Sequence, residues 1–183
     1  LSFPILETDR LQLNEITKDD VDAIFTIFSN PDVIEYYDTP IFTSKEQAEN
    51  LINVFTARFE NGLGIRWAIR TKSDNQLIGT CGFNSWNAKM QYTNIGYELI
   101  PSCWGMGYAH ESVNAIIKLA FEDKLPCGPI HRIQADTVPG NDASDRLLTN
   151  LRFKEEGLRR ESGYWKNKFH DLKCFGLLRN EFK

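Results

Sequence analysis

Ala109, Val113, Ile116, Ile117 and Ala120 recur at helical spacing, so a helix starting near residue 108 has one face built for a core. The stretch before it, 92–100, reads as a strand. Upstream, residues 5–16 predict a strand with Ile5, Leu11, Leu13 and Ile16 as apolar positions. A helix over about 19–29 follows, capped by Thr17 or Asp19, with Val21, Ile24, Phe25 and Phe28 on one face. Asn30-Pro31 ends it, and 32–40 reads as a short helix or loop. Thr43-Ser44-Lys45-Glu46 resembles a capping box opening a second helix to about Glu60. Strands are predicted at 65–72 and 76–87, separated by the turn residues Asp74-Asn75. Beyond the 108 helix come a strand over 131–138, a helix carrying Ala143, Leu147, Leu148 and Leu151, and two strands at 153–165 and 170–179. The order β-α-α-β-β-β-α-β-α-β-β predicts an α/β fold: a mixed sheet with helices on both faces. No repeat, low-complexity tract or linker interrupts it, so residues 1–183 are expected to form one domain.

Between the 92–100 strand and the helix lies Pro101-Ser102-Cys103-Trp104-Gly105-Met106-Gly107-Tyr108-Ala109. A helix start carries N–H groups with no partner and a partial positive charge, which together attract anions. Gly105 and Gly107 remove the Cβ atoms that would keep a phosphate off the backbone. The bland alternative is an ordinary strand-to-helix turn. A nucleoside triphosphatase loop would continue Gly-Lys-Ser/Thr, whereas Tyr108 and Ala109 stand here. A dinucleotide fingerprint would need Gly or Ala where His110 stands. A loop that grips a pyrophosphate without cleaving it suits coenzyme A.

The Gly105-x-Gly107 loop resembles the acyl-CoA loop of the GNAT superfamily of N-acetyltransferases. Ser102 stands where that motif carries Gln or Arg. Three further segments resemble the branch that acetylates ribosomal-protein N-termini: Glu7-Thr8-Asp9-Arg10-Leu11-Gln12-Leu13, Ile95-Gly96-Tyr97-Glu98-Leu99, and Val138-Pro139-Gly140-Asn141-Asp142-Ala143-Ser144. The last segment runs on to Phe153, with Arg152 in place of a usual glycine. The likeness spans nearly the whole chain. It implies a mostly antiparallel sheet whose central strand pair splays, with the pantetheine arm of acetyl-CoA lying in the gap. The backbone of Leu99 and Ile100 would bond that arm. The N–H groups of Gly105, Met106, Gly107, Tyr108 and Ala109 would hold the pyrophosphate. Asn141 would act as helix N-cap, as cofactor contact, or as both.

Transfer of an acetyl group to an amine requires a neutral amine, a polarised carbonyl and a proton for the departing sulfur. An α-amine has a pKa near 8, so roughly a tenth is neutral at pH 7. A base then contributes modestly, and positioning dominates. By the resemblance, Ser144 is the candidate acid at the sulfur; Glu98, on the strand beside the acetyl position, is the candidate base, directly or through water, with Glu161, near where the branch can place a glutamate, ranked below it. The plain alternatives are a first-turn serine bonding locally and a solvated strand carboxylate. Tyr36, Tyr37, Phe83, Asn84 and Trp86 are candidates to line the acceptor site, although aromatics more often fill cores. Tyr164 and Trp165 read as packing residues. The acceptor implied is a protein N-terminal α-amine, an antibiotic or a polyamine. A non-catalytic acyl-CoA-binding module is the competing class.

Composition narrows this little. The hydrophobic fraction of 42% and charged fraction of 25% are those of a soluble globule. A net charge of −4 disfavours a nucleic-acid binder and mildly suits a cationic amine. Cys81, Cys103, Cys127 and Cys174, with His110, His131 and His170, lack metal-ligand spacing. The expectation is therefore a cytoplasmic protein with reduced thiols and no metal, not membrane-bound, and a monomer or homodimer.

Overall fold

The computed structural model describes residues 2–183. Its strands are β1 (Leu6–Glu7), β2 (Leu11–Glu15), β3 (Ile65–Thr71), β4 (Leu77–Asn87), β5 (Tyr92–Leu99), β6 (Arg132–Thr137), β7 (Lys154–Trp165) and β8 (Lys168–Leu178). The helices are α1 (Val21–Phe28), α2 (Lys45–Glu60), α3 (Tyr108–Phe121) and α4 (Asp142–Asn150). The sheet runs β1-β2-β3-β4-β5-β6-β8-β7, and every pairing is antiparallel except β5 with β6. This is the mixed, mostly antiparallel α/β fold expected.

Two apolar clusters sandwich the sheet. One gathers Leu11, Leu13, Trp67, Phe83, Ile95 and Ile133 beneath Val113, Ile116 and Ile117 of α3 and Leu148 of α4. The other packs Ile24, Ile27 and Phe28 of α1 and Ala48, Ile52 and Phe55 of α2 against Ala68 and Leu77. Alternation along each strand sends successive side chains to opposite clusters. In β5, Tyr97 packs against the first cluster, while Glu98 faces the other side.

Local chemistry moves several boundaries. The 5–16 strand divides into a small hairpin, with Leu6 opposite Leu13 and Glu7 opposite Gln12. The Thr8 hydroxyl accepts from the Leu11 N–H at 3.1 Å and closes the turn. The first helix begins with a 3-10 turn over 18–20, which Thr17, not Asp19, caps; the Asp20 carboxylate accepts from the Thr17 N–H at 2.8 Å. In α2 the capping box is closed by Gln47, which accepts from the Ser44 N–H at 3.1 Å.

Candidate active site

Strand pairing between β5 and β6 covers only three positions: Tyr92 with Arg132, Thr93 with Ile133 and Asn94 with Gln134. From Ile95 onward β5 stays on β4, with Leu99 opposite Gly79, while β6 goes with β8. The two strands therefore splay. The Ile100 N–H donates to Ile78 at 2.8 Å, and antiparallel alternation then points the backbone of Tyr97 and Leu99 into the gap. Two of these groups are occupied from within the chain. The Leu99 carbonyl accepts from the Trp104 indole at 2.9 Å, and the Tyr97 carbonyl accepts from the Tyr37 hydroxyl. The N–H groups of Tyr97 and Leu99 have no strand partner. Ile100 is a correction to the sequence reading: its N–H goes to Ile78 and its carbonyl accepts from Cys103 at 3.0 Å, so its backbone is not free for a ligand.

At the mouth of the gap the glycine loop turns into α3. Gly105 and Gly107 have φ of 74° and 82°, the left-handed region that favours glycine. A Cβ on Gly105 would meet nothing within 4 Å, so the backbone there faces open space. Gly107 caps α3 and offers no side-chain acceptor to the first turn. Exposed N–H groups, an open cradle and a helix dipole suit a phosphate-bearing ligand. Arg10, which sequence reasoning passed over, clamps this loop. Its guanidinium donates to the Met106 carbonyl at 2.9 Å and to Glu111 at 2.8 Å, and it lies 4.2 Å from the centre of the Tyr108 ring.

On the α3/α4 side of the gap stands Ser144. Asn141 caps α4 and its side chain accepts from the Ser144 N–H at 3.4 Å, which meets the N-cap expectation. The Ser144 hydroxyl is hydrogen-bonded to the Tyr97 phenol across the gap. Burial pushes the Tyr97 phenol up to about 12, opposed by its bond to Ser144 and supported by the Asp145 charge.

On the α1/α2 side lies a buried polar network. The Arg66 guanidinium donates to Glu98 at 2.5 Å, to Thr80 at 2.9 Å and to Asn84 at 3.0 Å. Glu98 also accepts from the Thr80 hydroxyl and, at 3.0 Å, from Tyr37. Burial works against the Arg66 charge, but the Glu98 carboxylate outweighs it and holds the guanidinium above its ordinary pKa. Burial, and then the Glu98 charge, push the Tyr37 phenol well up, so it stays a donor. A Cβ on Gly96 would sit 2.8 Å from the Arg66 side chain, which is why glycine lies beneath the pair.

Three sequence expectations change here. The Glu98 side chain is 1% exposed and both its oxygens are engaged, so it is not a free base facing the gap. Phe83 is fully buried on the opposite face, edge-on to Trp67. Trp86 packs against that same cluster, its indole donating to Gly62 at 2.6 Å, and does not line the acceptor side. Tyr37 and Asn84 both reach the Arg66–Glu98 pair. The Tyr36 hydroxyl donates to Gly140 at 3.0 Å on the β6–α4 wall, while Tyr37 reaches the β5 wall, so two adjacent tyrosines bridge the gap. Glu161 sits exposed in β7. Trp165 stacks on His170 and Tyr164 packs on Phe169, in keeping with packing roles.

A splayed parallel pair with a glycine-led helix at its mouth fits a transferase that takes its group from an acyl-CoA. The acetyltransferase (GNAT) domain family matches residues 10–154, and the chain belongs to that family. An uncharacterized N-acetyltransferase of Bacillus subtilis, YoaA, is 38% identical over 177 residues, covering 97% of this chain and 98% of that protein. The ribosomal L7/L12 α-N-protein acetyltransferase RimL, solved with coenzyme A, shares the fold with a TM-score of 0.85 at 21% identity, covering 97% of this chain and 99% of that one. The microcin C7 self-immunity acetyltransferase MccE, solved with acetyl-CoA and AMP, has a TM-score of 0.84 at 17% identity over 93% of each chain. The protein is an acyl-CoA-dependent N-acetyltransferase. Among the described residues, no helix is long and apolar enough to cross a membrane.

Proposed function

We propose that this enzyme moves an acetyl group from acetyl-CoA to a primary amine, such as a protein N-terminal α-amine, by direct attack in a ternary complex. The observation carrying this reading is the β5–β6 gap, open beyond Asn94, with the α3 N-terminus at its mouth. The N–H groups of Gly105 to Ala109 receive the pyrophosphate. The backbone of Leu99, joined by that of Tyr97, holds the pantetheine arm as an added strand. The arm supplies the activated acetyl group; the chain's own groups position it and handle protons. Asn141 fixes the first turn of α4, and the Ser144 hydroxyl donates to the sulfur as it departs.

The amine enters from the α1/α2 side, past Tyr36, Tyr37 and Asn84. Glu98 acts there through Tyr37, whose hydroxyl it helps to hold, rather than as the group that takes the amine's proton. That proton goes to water, since a useful fraction of an α-amine is already neutral. The test is thiol release from acetyl-CoA against N-terminal peptides, polyamines and amino-bearing antibiotics, with products identified by mass. Amine-dependent thiol release and an N-acetylated product are expected. Tight coenzyme A binding with no transfer to any amine would instead support a non-catalytic acyl-CoA sensor.

A further inference from the structure

We propose that Tyr97 and Ser144 form a two-hydroxyl proton relay, in which the Tyr97 phenol recharges the Ser144 hydroxyl as Ser144 protonates the departing sulfur. This rests on the placement of acetyl-CoA in the β5–β6 gap.

When the amine attacks, a C–N bond forms and the C–S bond breaks, and the bonding pair stays on sulfur. A thiol with a pKa near 8.5 is a far stronger acid than an alcohol. A lone serine giving up its proton would be left as an unstable alkoxide. The phenol on the same oxygen lessens that cost: its proton moves to Ser144 while the serine proton moves to sulfur, and the charge rests on a phenolate, a weaker base than an alkoxide. The phenolate takes a proton back from water, which has received the one the amine releases, so the cycle closes with no further reagent.

The geometry supports this division of labour. Ser144 is held at two points: its N–H by Asn141 at 3.4 Å and its hydroxyl by Tyr97. The next residue, Asp145, is tied to Thr137 at 2.7 Å and to Lys173 at 2.8 Å, which pins the first turn of α4 to β6 and β8. Tyr97 stands on the opposite wall, on the splayed part of β5, with its carbonyl fixed by Tyr37. The phenol is the better donor of the pair, so the serine proton is left free to point into the gap. The groups around the phenol keep it neutral. Burial is the main cause, and the Asp145 carboxylate adds to it. Lys173 neutralises Asp145. Cys81, opposite Tyr97 on β4, is itself buried and held as the thiol, while Glu98 and Arg66 on the other face cancel as a pair. Tyr97 acts through Ser144 and is a positioning residue.

The test is a double-mutant cycle in the whole enzyme, with coenzyme A affinity measured alongside turnover. Tyr97→Phe should lower kcat by about 10²-fold, the low end for a positioned acid, with KM for acetyl-CoA unchanged. Tyr97→Phe with Ser144→Ala should be no slower than Ser144→Ala alone, because the two act as one unit. A ring-fluorinated tyrosine at position 97, which folds as tyrosine does, should bring a fall in kcat on the alkaline side that the parent enzyme lacks. Additive losses, or a fluorinated enzyme with the parent pH profile, would overturn the relay. Lost coenzyme A affinity in Gly105→Ala alongside a normal Tyr97→Phe enzyme would leave the cofactor placement standing and remove the relay alone. Coenzyme A affinity unchanged in Gly105→Ala would remove the placement on which both rest.

Discussion

At Gly105 the backbone conformation and the proposed phosphate contact can be separated. Gly107→Val would confuse them, because a Cβ there lies 3.3 Å from Arg10 and adds β-branching at a φ of 82°. Gly105 has open space around its Cβ position, so Gly105→Ala strains only the left-handed backbone, by about 1–2 kcal/mol. The variant should fold, melt somewhat earlier and bind coenzyme A much more weakly in calorimetry; unchanged affinity would move the phosphate elsewhere. Tyr97 offers a second residue-scale measurement. Its phenol and the Cys81 thiol are both pushed up to about 12 by burial. The unfolded chain therefore loses these protons first. The stability they contribute is whole below about pH 7.5, where unfolded thiols begin to ionise, and is lost as pH rises towards 12, with a slope of up to about 1.4 kcal/mol per pH unit for each group. Denaturant titrations from pH 8 to 11 should show this fall, and Tyr97→Phe should flatten it. An equal slope in the variant would mean that the phenol ionises freely in the native fold.

Between elements, the decisive contact is Arg66 of β3 with Glu98 of β5, bridged by Thr80 of β4. Removing one partner of a buried pair strands the other, at about 3–5 kcal/mol. Glu98→Gln should therefore lower Tm by roughly 6–20 °C while leaving the shape of the kcat/KM pH profile unchanged. A stable variant whose activity falls only at acidic pH would restore Glu98 as the base. No sequence pattern displayed this network, since its members lie on three strands and meet only once the register is set. The glycine loop, α3 and the N-cap at Asn141 were legible because each is a local signal: paired glycines, helical spacing, a capping side chain. Phe83 and Trp86 do not follow simple strand alternation. A bulge between Phe83 and Ser85 resets the alternation of β4, so both aromatics face the α3 core and only Asn84 turns toward Arg66. Arg10 was quoted in the opening segment, yet its partners Met106 and Glu111 lie about a hundred residues away.

Across the whole molecule, one strand separates two chemistries. Odd residues of β5 face α3 and α4, where Tyr97 and Ser144 meet; even residues face α1 and α2, where Glu98 and Arg66 anchor Tyr37. Both walls of the gap are tied, by Tyr36 to Gly140 and by Tyr97 to Ser144. A ligand that joins them stabilises the native state by about 2.7 kcal/mol at a hundredfold excess over Kd. The most direct measurement is residue-resolved amide hydrogen exchange on the whole protein, with and without acetyl-CoA. New protection is expected at the N–H groups of Tyr97 and Leu99 and of 105–109, with Ile100 already protected in the free enzyme. Protection absent from those amides, or concentrated on β1 to β3, would contradict acetyl-CoA binding in the gap.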